Sequence, residues 1–96
     1  MSFIQAKNVT VTNTATQLTN TVLTRESLLI ENNGSVTLYV GNSDVTTSTG
    51  TPIAAGSSLS DSSPAFTGMW FGIVSSGSCD VRITDKYLGK QAGQAL

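Results

Sequence analysis

The side chains that most often do chemistry are sparse in this chain of 96 residues. There is no histidine, which removes the usual general base and the commonest metal ligand. A Ser-His-Asp or Cys-His nucleophile is therefore excluded. Cys79 is the only cysteine, so it has no partner for an intramolecular disulfide. Its phase with Val81 and Ile83 predicts a small apolar group turned toward a core. The carboxylates, Glu26, Glu31, Asp44, Asp61, Asp80 and Asp85, are scattered singly. Asp44 follows Asn42-Ser43 and Asp61 follows Ser60, the setting of turn residues that bond their own backbone. A calcium site needs several convergent oxygens, and no spacing of the D-x-D-x-D-G kind supplies them. The glycines form neither a P-loop nor a dinucleotide fingerprint. The expectation is a protein that is not an enzyme and uses no cofactor and no metal.

What remains for function is contact with other macromolecules. The aromatic residues are Phe3, Tyr39, Phe66, Trp70, Phe71 and Tyr87. Large aromatics anchor interfaces, and Trp70, Phe66 and Tyr87 are the candidates for partner binding. Trp70 is out of phase with Met69, Phe71 and Ile73, so two placements stay open. Either it points away from the core, or it faces the core while Phe71 lies near a loop. The charge balance narrows the partner. Five Lys+Arg against six Asp+Glu give a net charge of −1, without the basic patch that nucleic acid requires. The same balance gives no electrostatic grip on an anionic membrane. No apolar run approaches the roughly 20 residues of a spanning helix, and the N-terminus reads as no signal peptide. Synthesis in a cytoplasm is expected.

The elements that must position these residues are strands. Ser and Thr number 27 and Asn 6; Thr favours strands, and Ser, Asn and Gly favour turns. Period-2 alternation recurs at Val9–Val11, Leu28–Glu31, Val36–Val40, Met69–Val74 and Cys79–Thr84. Asn33-Gly34 lies between Ser27–Asn32 and Ser35–Gly41, and predicts a hairpin with a type I′ turn. Ser75–Ser78 predicts a second hairpin joining Met69–Val74 to Cys79–Thr84. Between them, short strands are expected near Val45–Ser48, Pro52–Ala54 and Ser57–Leu59. The fold expected is all-β: a small antiparallel β-sandwich or jelly-roll-like barrel of about seven short strands. It occupies residues 1–86 as a single domain, and 87–96 read as a flexible C-terminal tail.

One stretch carries a resemblance. Ile30-Glu31-Asn32-Asn33-Gly34 is followed by Leu38-Tyr39-Val40-Gly41-Asn42-Ser43-Asp44-Val45-Thr46, then by Gly50-Thr51-Pro52-Ile53-Ala54-Ala55-Gly56-Ser57. This series resembles small structural proteins of tailed bacteriophages and prophages, in which I-x-N-x-G leads to V-Y-V-G-x-S-x-V-T and then G-x-P-L-x-P-G-x-S. Ala55 stands where that pattern has its second proline. About half of the chain is similar in this way. The resemblance implies a virion component, most concretely a head decoration (cement) protein on the capsid surface, bound across major capsid protein subunits and self-associated as a trimer. The alternative is a tail or fibre-associated carbohydrate-binding module.

Overall fold

The computed structural model describes residues 2–62 and 65–88. It contains eight strands and, among the described residues, no helix: β1 (Ser2–Val11), β2 (Thr16–Gln17), β3 (Arg25–Asn32), β4 (Leu38–Gly41), β5 (Thr51–Ile53), β6 (Ser58–Ser62), β7 (Phe71–Ile73) and β8 (Cys79–Leu88). They form two four-stranded sheets, ordered β1-β8-β3-β6 and β2-β7-β4-β5, and every pairing is antiparallel. The pairs β1–β8, β2–β7, β3–β6 and β4–β5 are nested one inside the next. Rolling that nested ladder up adds β3–β8 and β4–β7, which is the jelly-roll form of the expected sandwich.

The alternation read from the sequence decides which side chains meet between the sheets. Leu28 and Ile30 from β3, Val81 and Ile83 from β8, Leu38 and Val40 from β4, and Val11, Leu18, Ile53 and Val74 form one buried cluster. Fully burying each Leu or Ile contributes roughly 1.5–3 kcal/mol. Cys79 belongs to the same cluster, as its phase predicts.

Both expected hairpins are corrected. β3 and β4 lie in different sheets, as do β7 and β8, so Asn33-Gly34 and Ser75–Ser78 are crossings between layers. Among the described glycines positive φ occurs at Gly56 (81°) and Gly77 (71°), and not at Gly34. Gly34 is required for closeness instead: a Cβ there would lie 2.7 Å from the Cys79 sulfur and 3.2 Å from its Cα. The strand expected near Val45–Ser48 is a compact loop. Val45 is buried as its plug, and the Thr46 hydroxyl accepts from the backbone N–H of Ser48 and Thr49, a local bonding pattern that competes with strand pairing. Tyr87 and Leu88, expected in the tail, are the last residues of β8; the rest of that segment lies outside the described residues.

The crossings at one end of the sandwich converge on Asn32, the fully buried last residue of β3. Its side-chain amide donates to the carbonyls of Val36 and Ile53, both at 2.8 Å. Its Oδ1 accepts from the Gly34 N–H at 2.9 Å and from the Cys79 thiol at 3.0 Å. Its backbone N–H donates to Ser57, and its carbonyl accepts from Gly56. Every bonding position of the buried amide is thus filled, as burial demands.

Two outcomes follow. Asn32→Leu leaves two carbonyls and one N–H unpaired, each costing on the order of 1–3 kcal/mol, so urea denaturation should show a loss of at least about 3 kcal/mol. Gly34→Ala should destabilise by overpacking, by about 1–3 kcal/mol, and by measurably less in a Cys79→Ala background, because the sulfur is the nearest obstacle.

Candidate functional site: an aromatic corner held by a buried arginine

At the opposite end of β3 a register shift between Arg25 and Ser27 marks a β-bulge. Strict alternation from Leu28 and Ile30 would turn Arg25 to the outer face. The bulge re-aims it inward, opposite Tyr87, as bulges do near functional surfaces. The guanidinium is fully enclosed, and its Nε lies 3.3 Å from Asp85 Oδ2. Its remaining donors go to backbone: one terminal nitrogen to the carbonyls of Phe66 (2.9 Å) and Gly68 (3.1 Å), the other to that of Asn20 (2.9 Å). The planar, many-pronged donor set of arginine suits this task where lysine would not.

Those bonds shape the segment 65–70. Val22 donates its N–H to Thr67, Leu18 donates to Trp70, and the Trp70 N–H donates to the buried Thr19 hydroxyl. Asp61 accepts from the Phe66 N–H at 2.8 Å. The segment is therefore fixed from within while its side chains turn outward. Phe66 is 51 % exposed and Met69 43 %. Phe66 meets Trp70 edge-to-face, with ring centroids 6.2 Å apart. Trp70 itself leans on the core, so of its two open placements the inward one holds, with Phe71 beside the 42–44 loop. Its indole N–H is buried and finds no acceptor among the described residues.

Gly41, Asn42 and Asp61 complete a shallow cleft of about 400 Å³ with Phe66, Met69 and Trp70. The second sheet continues this surface: Ile73, Tyr39 and Pro52 form one outward row, and Phe71 stands in the next. Of the three aromatic candidates, Phe66 and Trp70 are brought together. Tyr87 is not in ring contact with them; it stacks on Phe3 across the β1–β8 ladder, with centroids 5.7 Å apart. Met69, Asn42, Asp61 and Arg25 were not expected from sequence at this site.

The cleft sets aromatic and apolar side chains beside an amide and a carboxylate. Among the described residues no group of three or more His, Cys, Asp or Glu could hold a metal. The thiol of Cys79 lies at the other end of β3; burial pushes its pKa up, with a smaller push from the Asp80 charge, against the opposing Gly34 N–H. Asp80 is held below the usual carboxylate range, first by hydrogen bonds from Arg82 and Asn33. No protein-family model matches the chain, no curated protein matches its sequence, and no solved structure matches its fold.

Removing Asp85 leaves the Arg25 cation buried without its counter-charge, which costs about 3–5 kcal/mol. Asp85→Ala should show that loss in chemical denaturation, with a shift in Trp70 fluorescence before global unfolding. Cys79 should resist thiol reagents in the native protein at neutral pH and label only at the rate of unfolding; rapid native labelling would contradict its burial.

Proposed function

We propose that this protein is a non-enzymatic structural component of a virion, a decoration protein that sits on the capsid surface across major capsid subunits and stabilises the head. The observation that carries the reading is the aromatic corner: Phe66 and Met69 are exposed on a segment that Arg25 holds rigid. Exposed apolar groups on a fixed scaffold bind without a large ordering cost, and aromatic anchors dominate such contacts. The resemblance in Ile30–Ser57 supplies the class of partner. A site formed between shell subunits exists only after assembly, so binding there stabilises the assembled lattice by mass action. Copies of the protein self-associate in this reading, and the threefold state rests on the resemblance alone.

The cleft also supports a second reading, a carbohydrate-binding module of a tail or fibre. An aromatic ring beside an amide and a carboxylate, here Phe66 with Asn42 and Asp61, is the mixture of apolar and polar groups that orients a small ligand.

Co-sedimentation with undecorated expanded heads separates the two. The protein should pellet with heads and show little affinity for isolated capsid subunits. Phe66→Ala combined with Met69→Ala should weaken binding at least about tenfold, the loss of one or two hot-spot side chains, while stability falls only by the modest worth of the Phe66–Trp70 contact, about 0.5–1.5 kcal/mol. Added salt should change affinity little, because apolar contact is not screened. Failure to pellet, together with glycan binding that the same substitutions abolish, would establish the fibre reading instead.

A further inference from the structure

Among the described residues the two sheets have four edge strands, and β1 is at least twice as long as any of the others. β2 has two residues, β5 has three and includes Pro52, and β6 has five. Short length and proline are two of the devices by which sheet edges avoid pairing, and a lysine on the edge is a third. β1 is different. It runs ten residues, Ser2–Val11, pairs on one side with β8 in unbroken register, and contains no proline. Among the described residues no strand pairs with its other side. Gln5 and Lys7 share the inward phase of Val9 and Val11 yet are exposed, so the second sheet does not cover this half of the strand. Ile4, on the outer face, is 73 % exposed.

We infer that β1 pairs with β1 of a second copy, antiparallel about a twofold axis, joining the two β1-β8-β3-β6 sheets into one. The inference does not rest on the capsid reading. Length points to the occupant, since among the described residues β1 is the one edge of this chain that could match another β1 along its whole run, and the single charge on the strand, Lys7, limits the register. A twofold axis normal to the sheet keeps the outer faces together, so residues of the same phase meet. Placing the axis at Lys7 would set two ammonium groups directly opposite, which is destabilising. Placing it at Ala6 sets Lys7 opposite the partner's Gln5, Phe3 opposite the partner's Val9, Ile4 opposite the partner's Asn8, and Ser2 opposite the partner's Thr10. Each Lys7 then faces an amide oxygen that can accept from it, Phe3 meets an apolar partner in Val9, and almost the whole strand is used. Lys7 thus restricts the edge to a defined register rather than closing it. A twofold pair is self-complementary and ends there, because each copy spends its one long edge. This geometry favours a dimer over the trimer.

The test adds one cysteine at a time to the outer face, with Cys79 left buried in the core, under mild oxidation, and the sedimentation of the unmodified protein is measured alongside. Directly opposite residues have Cα atoms about 4.5–5.5 Å apart, within disulfide reach. Ala6→Cys should therefore cross-link rapidly to a covalent dimer. Asn8→Cys alone should not, since its copies lie about 14 Å apart along the strand direction at about 3.4 Å per residue. An equimolar mixture of Ile4→Cys and Asn8→Cys should cross-link, which checks the register with two further sites. The unmodified protein should sediment as a concentration-dependent dimer. Ala6→Lys, which sets two charges on the axis, should raise the dimer dissociation constant several-fold while leaving thermal unfolding of the monomer unchanged. A strictly monomeric or trimeric protein, or equal cross-linking rates for Ala6→Cys and Asn8→Cys, would overturn the inference.

Discussion

A cation taken out of water must be met on every side, and the aromatic corner is arranged around that demand. Arg25 finds one carboxylate and three backbone carbonyls. Those carbonyls belong to the two crossings, 18–24 and 65–70, that close this end of the sandwich. The other end is closed by the neutral equivalent, Asn32, with its own full set of partners. Both residues terminate the same strand. β3 is thus apolar in its middle and polar at its two buried ends, and each end gathers the loops that pass over it. In a domain of this size, whose net stability is only about 5–15 kcal/mol, either hub is a sizeable share of the total.

The division of labour explains why the corner can be both exposed and ordered. Apolar side chains on a mobile loop would lose contact free energy to ordering when a partner arrived. Here the backbone of 65–70 is bonded at Phe66, Thr67, Gly68 and Trp70 to groups on β3 or in the 18–22 crossing. The side chains that face water, Phe66 and Met69, are the ones with least left to lose. The neighbouring carboxylate, Asp61, is occupied by the Phe66 N–H, so the corner offers shape and apolar area more than charge.

Much of the sandwich was legible because alternation reports directly on burial. The phase of Cys79, Val81 and Ile83 placed all three in the core, and the β5 and β6 segments fell where proline, glycine and serine bracketed short runs. What did not transfer was the layer on which each strand lands. Asn33-Gly34 says that the chain turns; it carries no term for whether the next strand lies beside the last one or across the core from it. Arg25 was hidden for a related reason. Extending the phase of Leu28 and Ile30 backwards puts Glu26 on the core side, an awkward place for a carboxylate, and that conflict was the available signal for a bulge. Phe66 and Trp70 could be named as aromatic candidates, and Met69 lies between them in the same five-residue run, but Asn42 joins the cleft only through the third dimension.

The nested ladder also dictates how such a chain must be made. Ser2 lies opposite Leu88, so β1 has no pairing partner until β8 has been synthesised. Among the described strands only β4 and β5 are both sequence neighbours and sheet neighbours, a seed of seven residues across two short strands. Contacts so distant along the chain require large loops to close before they are rewarded, which slows folding. Until β8 emerges, all ten residues of β1 stand without their partner strand, an unpaired edge open to other chains.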